Sequence, residues 1–211
     1  MSRYTIHPGT TVLLEPRYYG SIGWYAAMAA HEGCIVDYGA RFDKRHKLTH
    51  RTTIADVNGP LSLTMPLSHP AKGEVEGVLK WSDMRLSSHG DWWNVHRVAL
   101  ESAYGRTPFF EFYIDRFLPV LRPPVVEEFG TLESVDRYID LQVRRLLDLP
   151  DDVETPVGDV VDMRGSEPML DCRPYYQVRS AKLGFIPGLS ILDLLFNLGP
   201  EAQLYLYRII R

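Results

Sequence analysis

The chain has 211 residues, of which 45% are apolar, 24% charged and 11% aromatic, and its formal net charge is −4 at pH 7. A chain of this size and balance is about one globular domain and can bury a core without disulfides or metals. It lacks the broad cationic surface that a nucleic-acid backbone needs, so nucleic acid is not an expected partner.

The opening residues 1–10 have no apolar signal core. Residues 10–14 are a short β-branched and apolar run stopped by Pro16, which reads as a buried strand. Ser21 is placed to cap a helix from Ile22 to about His31, with Gly33 as its stop. Residues 34–38 read as a second strand. Together these make a βαβ unit, for which a parallel pair with a right-handed crossover is expected. A polar, basic segment, 41–51, follows. Residues 52–57 and 61–67 read as strands joined at Asn58-Gly59-Pro60, and Asn-Gly favours a hairpin. Residues 68–77, with Pro70, Gly73 and Gly77, read as a loop.

From Asp91 the apolar period becomes helical, and Trp93, Arg97, Leu100 and Tyr104 share one face. Gly105 and Pro108 end that helix. A second helix is expected over about 109–120, stopped by Pro123-Pro124, and a third over 131–149, capped by Thr131 and stopped by Pro150. Residues 151–171 are acidic and lack a clear period, with one short strand expected within 157–163. The tail reads as an apolar helix over 191–198 and a last helix over 200–210. The expected class is α/β. A βαβ N-terminal half with a mixed sheet, hairpin included, spans residues 1–90, and a mainly helical half spans 91–211, within a single domain.

The most apolar stretch, 183–198, is broken by Pro187, Gly188, Asp193 and Asn197, so no membrane span is expected. Cys34 and Cys172 form neither a metal-binding spacing nor a redox pair. A reducing, cytoplasmic compartment is expected.

There is no Walker loop, GxGxxG, GxSxG, HExxH or CxxC. Hydride, kinase, hydrolase and zinc chemistries lose their usual sequence support, and neither cofactor nor metal is expected. Three segments can carry chemistry. The first, Glu15-Pro16-Arg17-Tyr18-Tyr19-Gly20-Ser21-Ile22-Gly23-Trp24, joins the first strand to the first helix. Ligands of α/β sheets bind past the carboxyl ends of strands, and a helix N-terminus offers N–H groups to an anion. The bland alternative is a connecting loop whose glycines allow tight packing. The segment also resembles the loop and helix start of Rossmann-like nucleotidyl transferases, but both signature histidines are missing.

The second segment, Phe42-Asp43-Lys44-Arg45-His46-Lys47-Leu48-Thr49-His50-Arg51, concentrates cations in an otherwise acidic chain. Lys44, Arg45 and Arg51 suit a phosphate or carboxylate, and the histidines can shuttle protons near neutral pH. A solvated basic loop is the alternative. His46 and His50 have the i, i+4 spacing of metal ligands on a helix, but no carboxylate completes a set. The third segment runs from Trp92 to Tyr113. In it Trp93, His96 and Tyr104 can share a broad helical face, and Phe109 and Glu111 follow. For His96 the alternative is a core histidine bonded to a backbone carbonyl.

The third segment also carries a resemblance. Trp93 with His96, then Glu101-Ser102-Ala103-Tyr104, Thr107-Pro108-Phe109-Phe110 and Tyr113, resembles the central motif of the WbqC-like family. Three more stretches agree: 13–25; Phe42-Asp43-Lys44 with Arg51 and Gly59-Pro60-Leu61-Ser62-Leu63-Thr64-Met65-Pro66-Leu67; and the terminal run 189–201 containing Asp193. The resemblance implies a place in bacterial O-antigen or other surface-polysaccharide loci, and for some members a role in attaching an amino acid such as glycine to an amino sugar. It carries over no catalytic residues.

Two functions are therefore expected to compete, with Rossmann-like nucleotidyl transfer at the Tyr19–Trp24 turn, without the usual histidines, as a further alternative. One is a transferase on a small phosphorylated or nucleotide-linked sugar, with His96, Glu15 or Glu111 as general base and Lys44, Arg45, Arg51, Trp93, Tyr104, Phe109 and Asp193 as substrate contacts. The other is a non-catalytic partner in a polysaccharide assembly complex, whose apolar C-terminal stretch with Tyr205 and Tyr207 forms a homodimer or partner face.

Overall fold

A computed structural model describes residues 7–166 and 173–210. In chain order these form β1 (His7–Leu14), α1 (Ile22–Ala30), β2 (His31–Val36), β3 (Arg51–Asp56), β4 (Gly59–Thr64), β5 (Leu67–Ser68), β6 (Arg85–Leu86), α2 (Trp92–Tyr104), α3 (Phe110–Tyr113), α4 (Val125–Phe129), α5 (Leu132–Leu147), β7 (Asp159–Asp162), α6 (Ser180–Leu183), α7 (Ile191–Leu198) and α8 (Glu201–Ile209). Cys172 lies outside the described residues.

The chain is α/β with a parallel core. β1 is the middle strand of a three-stranded sheet, order β2-β1-β7, and both pairings are parallel. The β3–β4 hairpin is antiparallel and keeps its own two-stranded ladder, as does the short β5–β6 pair. The residues connecting β3 to β4 are Val57 and Asn58, one position ahead of the expected Asn-Gly turn. Gly59 instead closes the ladder opposite Asp56, with a φ of 119° that only glycine adopts easily.

α1 begins where Ser21 predicts, and the serine side chain accepts the Trp24 N–H at 3.1 Å. All nine of its residues are buried, so it is a central helix with no solvent face. It ends at Ala30, and its stop is His31. The imidazole Nδ1 bonds the Ala27 carbonyl at 2.8 Å, and β2 starts at the same residue. Gly33 sits within β2 because a Cβ there would meet Thr11 Oγ1 at 2.7 Å.

The helix expected over 109–120 is broken. α3 covers one turn, and two 3-10 turns follow at Ile114–Arg116 and Leu118–Val120. Pro119 has no N–H for an α-helical bond and its ring would crowd the preceding turn. The chain closes i→i+3 bonds instead, Phe117 to Ile114 at 2.9 Å and Val120 to Phe117 at 3.1 Å. α5 follows the sequence closely: Thr131 accepts the Ser134 N–H at 3.1 Å, and the helix ends at Asp148 in the left-handed conformation. Arg144, 3% exposed, bonds Asp140 one turn back in α5 at 2.7 Å and ties the helix to Asp152 at 2.6 Å and the Pro150 carbonyl at 2.6 Å. α7 and α8 bury their apolar faces against α1 and each other. Tyr205 and Tyr207, expected on a partner face, are buried within the chain itself. No described helix is long and apolar enough to cross a membrane.

Candidate functional site

The three parallel strands end on the same side of the sheet, and the segment after each turns into one cleft of about 780 Å³. β1 delivers Glu15. β2 delivers the run from Ala40 to His46, and β7 delivers Asp162, Arg164 and Gly165. This is where ligands bind in open α/β sheets, because the loops there diverge over the strand ends.

Glu15 forms the buried floor, at 4% exposure. Its Oε2 accepts from the Arg17 guanidinium at 3.3 Å, and its Oε1 accepts from His46 Nδ1 at 2.6 Å. The His46 side chain is partly exposed and lies on the cleft wall. A carboxylate that accepts from Nδ1–H fixes the tautomer that leaves Nε2 with a lone pair. Gly165 packs against this ring, where an added Cβ would stand 3.2 Å from Cε1. The loop behind Glu15 is held firmly. Tyr19 takes a left-handed φ of 44°, and its carbonyl accepts from both Thr52 Oγ1 at 2.9 Å and Ser190 Oγ at 3.1 Å.

Most charges on the cleft wall are paired. Arg45 engages Asp43 through Nε, at 3.0 and 2.9 Å, and through its terminal nitrogen. These bonds hold the Asp43 carboxyl well below the usual carboxylate range. Arg164 bonds Asp162 at 2.7 Å and crosses to Asp37, after β2, at 2.6 Å. It thereby ties the β7 wall to the β2 wall, and Asp162 in turn pushes its guanidinium pKa up. Lys44 and Arg41 are exposed and line the same cleft.

The expected site residues thus fall in several places. Glu15, Lys44 and Arg45 come together in the cleft, where His46 bonds Glu15. Arg51 points across the hairpin to Thr64 Oγ1 at 2.9 Å. His96 is 3% exposed and its Nδ1 meets the Tyr18 hydroxyl at 2.9 Å. Burial lowers its pKa to about 4, partly opposed by a bond to the Thr64 backbone. It is a neutral core histidine, with Trp93 half-buried beside its ring partner Trp92. Tyr104 and Asp193 share a buried cluster. Tyr104 accepts the Ala55 N–H at 3.1 Å, and Asp193 accepts from Tyr175 at 2.5 Å and Gln177 at 3.0 Å. Phe109 packs on Gly199 and Tyr113, and Glu111 is exposed on α3. Neither lines the cleft, and neither does His96.

The expected anion site at the α1 N-terminus is taken by the chain itself. The Ile22 N–H donates to the Leu189 carbonyl at 3.0 Å, and Ser21 bridges to Ser190. Gly20 serves packing, since a Cβ there would stand 2.8 Å from the Trp24 ring. His46 and His50 are joined in no metal cluster among the described residues. The contributions of Asp162, Arg164 and Gly165 went unforeseen, because 151–171 has no period and nothing local marks its pairing with β1.

The model of the WbqC-like protein family matches residues 15–150. The chain belongs to that family. The matched part of this WbqC-like chain starts at the cleft floor, Glu15, and takes in the basic wall and α2 to α5. β7 and the terminal run at 189–201 lie beyond it. No curated protein and no solved structure matches the chain.

Proposed function

We propose that this WbqC-like protein is a transferase of surface-polysaccharide biosynthesis, acting in the cytoplasm on a small phosphorylated or nucleotide-linked sugar. The observation that carries the reading is the buried Glu15 carboxylate bonded to His46 Nδ1 at 2.6 Å inside the cleft. Imidazole oriented by a buried carboxylate is a general base of the right kind for neutral pH. His46 Nε2 takes the proton of an amine or hydroxyl on the sugar while that atom bonds the carbonyl carbon of an activated aminoacyl donor. The donor's leaving group departs with the bonding pair, and the imidazolium returns the proton to it. Membership in the family supports the polysaccharide setting, and aminoacyl transfer to an amino sugar follows the role suggested for relatives.

The test is a panel of nucleotide-linked and 1-phosphorylated amino sugars. A true substrate raises the melting temperature by mass action. With that substrate and an aminoacyl donor, His46→Gln should bind normally yet turn over about 10²–10⁴-fold more slowly. A panel that shifts nothing at millimolar concentration, or an unimpaired His46→Gln, would sink the reading.

A further inference from the structure

The charges around the cleft divide into those the fold already uses and those it does not. Arg17 is engaged with Glu15, Arg45 with Asp43, and Arg164 with Asp162 and Asp37. Arg41 and Lys44 differ. Both are exposed, both line the cleft, and among the described residues neither has an ion pair or a side-chain hydrogen bond. Their backbone is nonetheless fixed. Arg41 pairs with Lys80 in a β-bridge, while the Phe42 N–H donates to the Leu79 carbonyl at 2.8 Å and the Trp81 N–H to the Ala40 carbonyl at 3.1 Å. Phe42 is wedged edge-on against Trp81, ring centroids 4.8 Å apart. Lys44 sits inside the turn closed by the His46 N–H donating to the Asp43 carbonyl at 3.0 Å.

We infer that Arg41 and Lys44 form a subsite for a phosphomonoester or pyrophosphate bridge carrying two negative charges, on the same cleft wall as His46. Two unengaged cations balance a dianion, whereas a single carboxylate would leave one of them uncompensated. The planar guanidinium fork suits two phosphate oxygens and the ammonium acts as a point charge beside them. Because the other arginines are already paired, an anion enters without breaking an existing ion pair. The wall is preorganised for it, which reduces the ordering lost on binding. Arg45 and Arg164 are then positioning residues that hold the walls. The inference rests on the cleft being the substrate site, as proposed above. It assigns the phosphomonoester or pyrophosphate bridge of that substrate to Arg41 and Lys44.

The test is calorimetric titration of the full chain with inorganic phosphate and, separately, pyrophosphate at fixed ionic strength. At least one probe should bind wild type, and Arg41→Ala and Lys44→Ala should each weaken it about tenfold, as expected for a lost charge-assisted contact. Circular dichroism checks that these surface variants are folded. Preference for phosphate supports a sugar phosphate, and preference for pyrophosphate supports a nucleotide-linked sugar. No binding of either probe at millimolar concentration, or binding that both variants leave unchanged, overturns the subsite. Anion binding that depends on both residues, in a protein whose turnover His46→Gln leaves intact, removes the proposed base and keeps the subsite. Turnover that needs His46 but neither Arg41 nor Lys44 does the reverse.

Discussion

Glu15 and His46 stand 31 residues apart in sequence and 2.6 Å apart in space, one following β1 and the other following β2. The parallel pairing of the two strands, with Leu14 opposite Val36, brings both loops to one end of the sheet. The dyad is thus a product of strand register, and the orientation of its imidazole depends on the carboxylate being an acceptor only.

Glu15→Gln tests that dependence. The amide can turn its NH₂ toward the ring, so Nδ1 loses its obligatory acceptor and the tautomer is no longer fixed. Long-range ¹⁵N correlation spectra should show His46 shifting from a single Nδ1–H form to a mixture. Turnover should fall at least tenfold in parallel. A His46 tautomer unaffected by the substitution would contradict the assigned hydrogen bond.

His96 makes a prediction about acid stability. Its folded pKa is lowered, to about 4, below an unfolded value near 6.5. The unfolded chain therefore takes up the proton first as pH falls. The stability linked to the neutral imidazole is fully present above about pH 6.5 and is lost as pH falls toward 4, amounting to about 3 kcal/mol across the window. His31 and His50 are also lowered by burial, so the wild-type profile is a sum. Urea midpoints of wild type and His96→Gln, measured side by side, isolate the His96 part. Their difference should shrink as pH falls from 7 to 4, and a constant difference would refute it.

Asp136, on α5, works in the opposite direction. Its carboxyl is 1% exposed and neither oxygen has a hydrogen-bond partner among the described residues. Burial pushes its pKa well above the carboxylate range, Asp140 adds to this, and Arg17 opposes it. The unfolded chain loses this proton first as pH rises through about 4, so the native state loses stability above that point until the buried carboxyl ionises. Asn cannot ionise. Asp136→Asn should therefore gain stability on wild type as pH rises from 4 to 7. Melting temperatures at those two values check the trend.

The Asp193 cluster predicts a local effect. Asp193 and Asn197 lie one turn apart on α7 and hold the segment before it. Asp193 accepts from Tyr175 and Gln177, while Asn197 accepts the Val178 N–H at 2.9 Å. Gln177 in turn exchanges two bonds with Ile186, each 2.9 Å long. Asn197→Ala leaves a backbone donor unsatisfied, about 1–3 kcal/mol. Limited trypsin digestion should then cut at Arg179 or Lys182 well before the rest of the chain. Cleavage at wild-type rates would show that the latch is not needed.

Much of the scaffold was legible because its signals are local. Ser21 and Thr131 mark helix starts by their side-chain oxygens, and the apolar run around Val12 marks β1 by β-branching. The break at 109–120 was harder to read, since aromatic density suits a helix and only Pro119 argues against one. In the cleft, the positions of Glu15, Lys44 and Arg45 were readable from charge and from their place after strands. Asp162, Arg164 and Gly165 were not, because β7 joins the sheet through a register with residues 10–13 that no local pattern encodes. His96, Tyr104 and Asp193 looked like chemistry because polar groups on apolar faces often are. Here each is held inside the core by other groups, His96 by Tyr18, Tyr104 by the Ala55 N–H and Asp193 by Tyr175.

β7 lies outside the stretch that the family model matches, yet it supplies a wall of the cleft. The Glu15–His46 pair therefore lies inside the matched stretch, and the facing wall at Asp162, Arg164 and Gly165 lies outside it. Substitutions in residues 159–165 would reshape that wall while the Glu15–His46 pair stays as it is, which makes the short strand the place to vary the cleft without touching the pair.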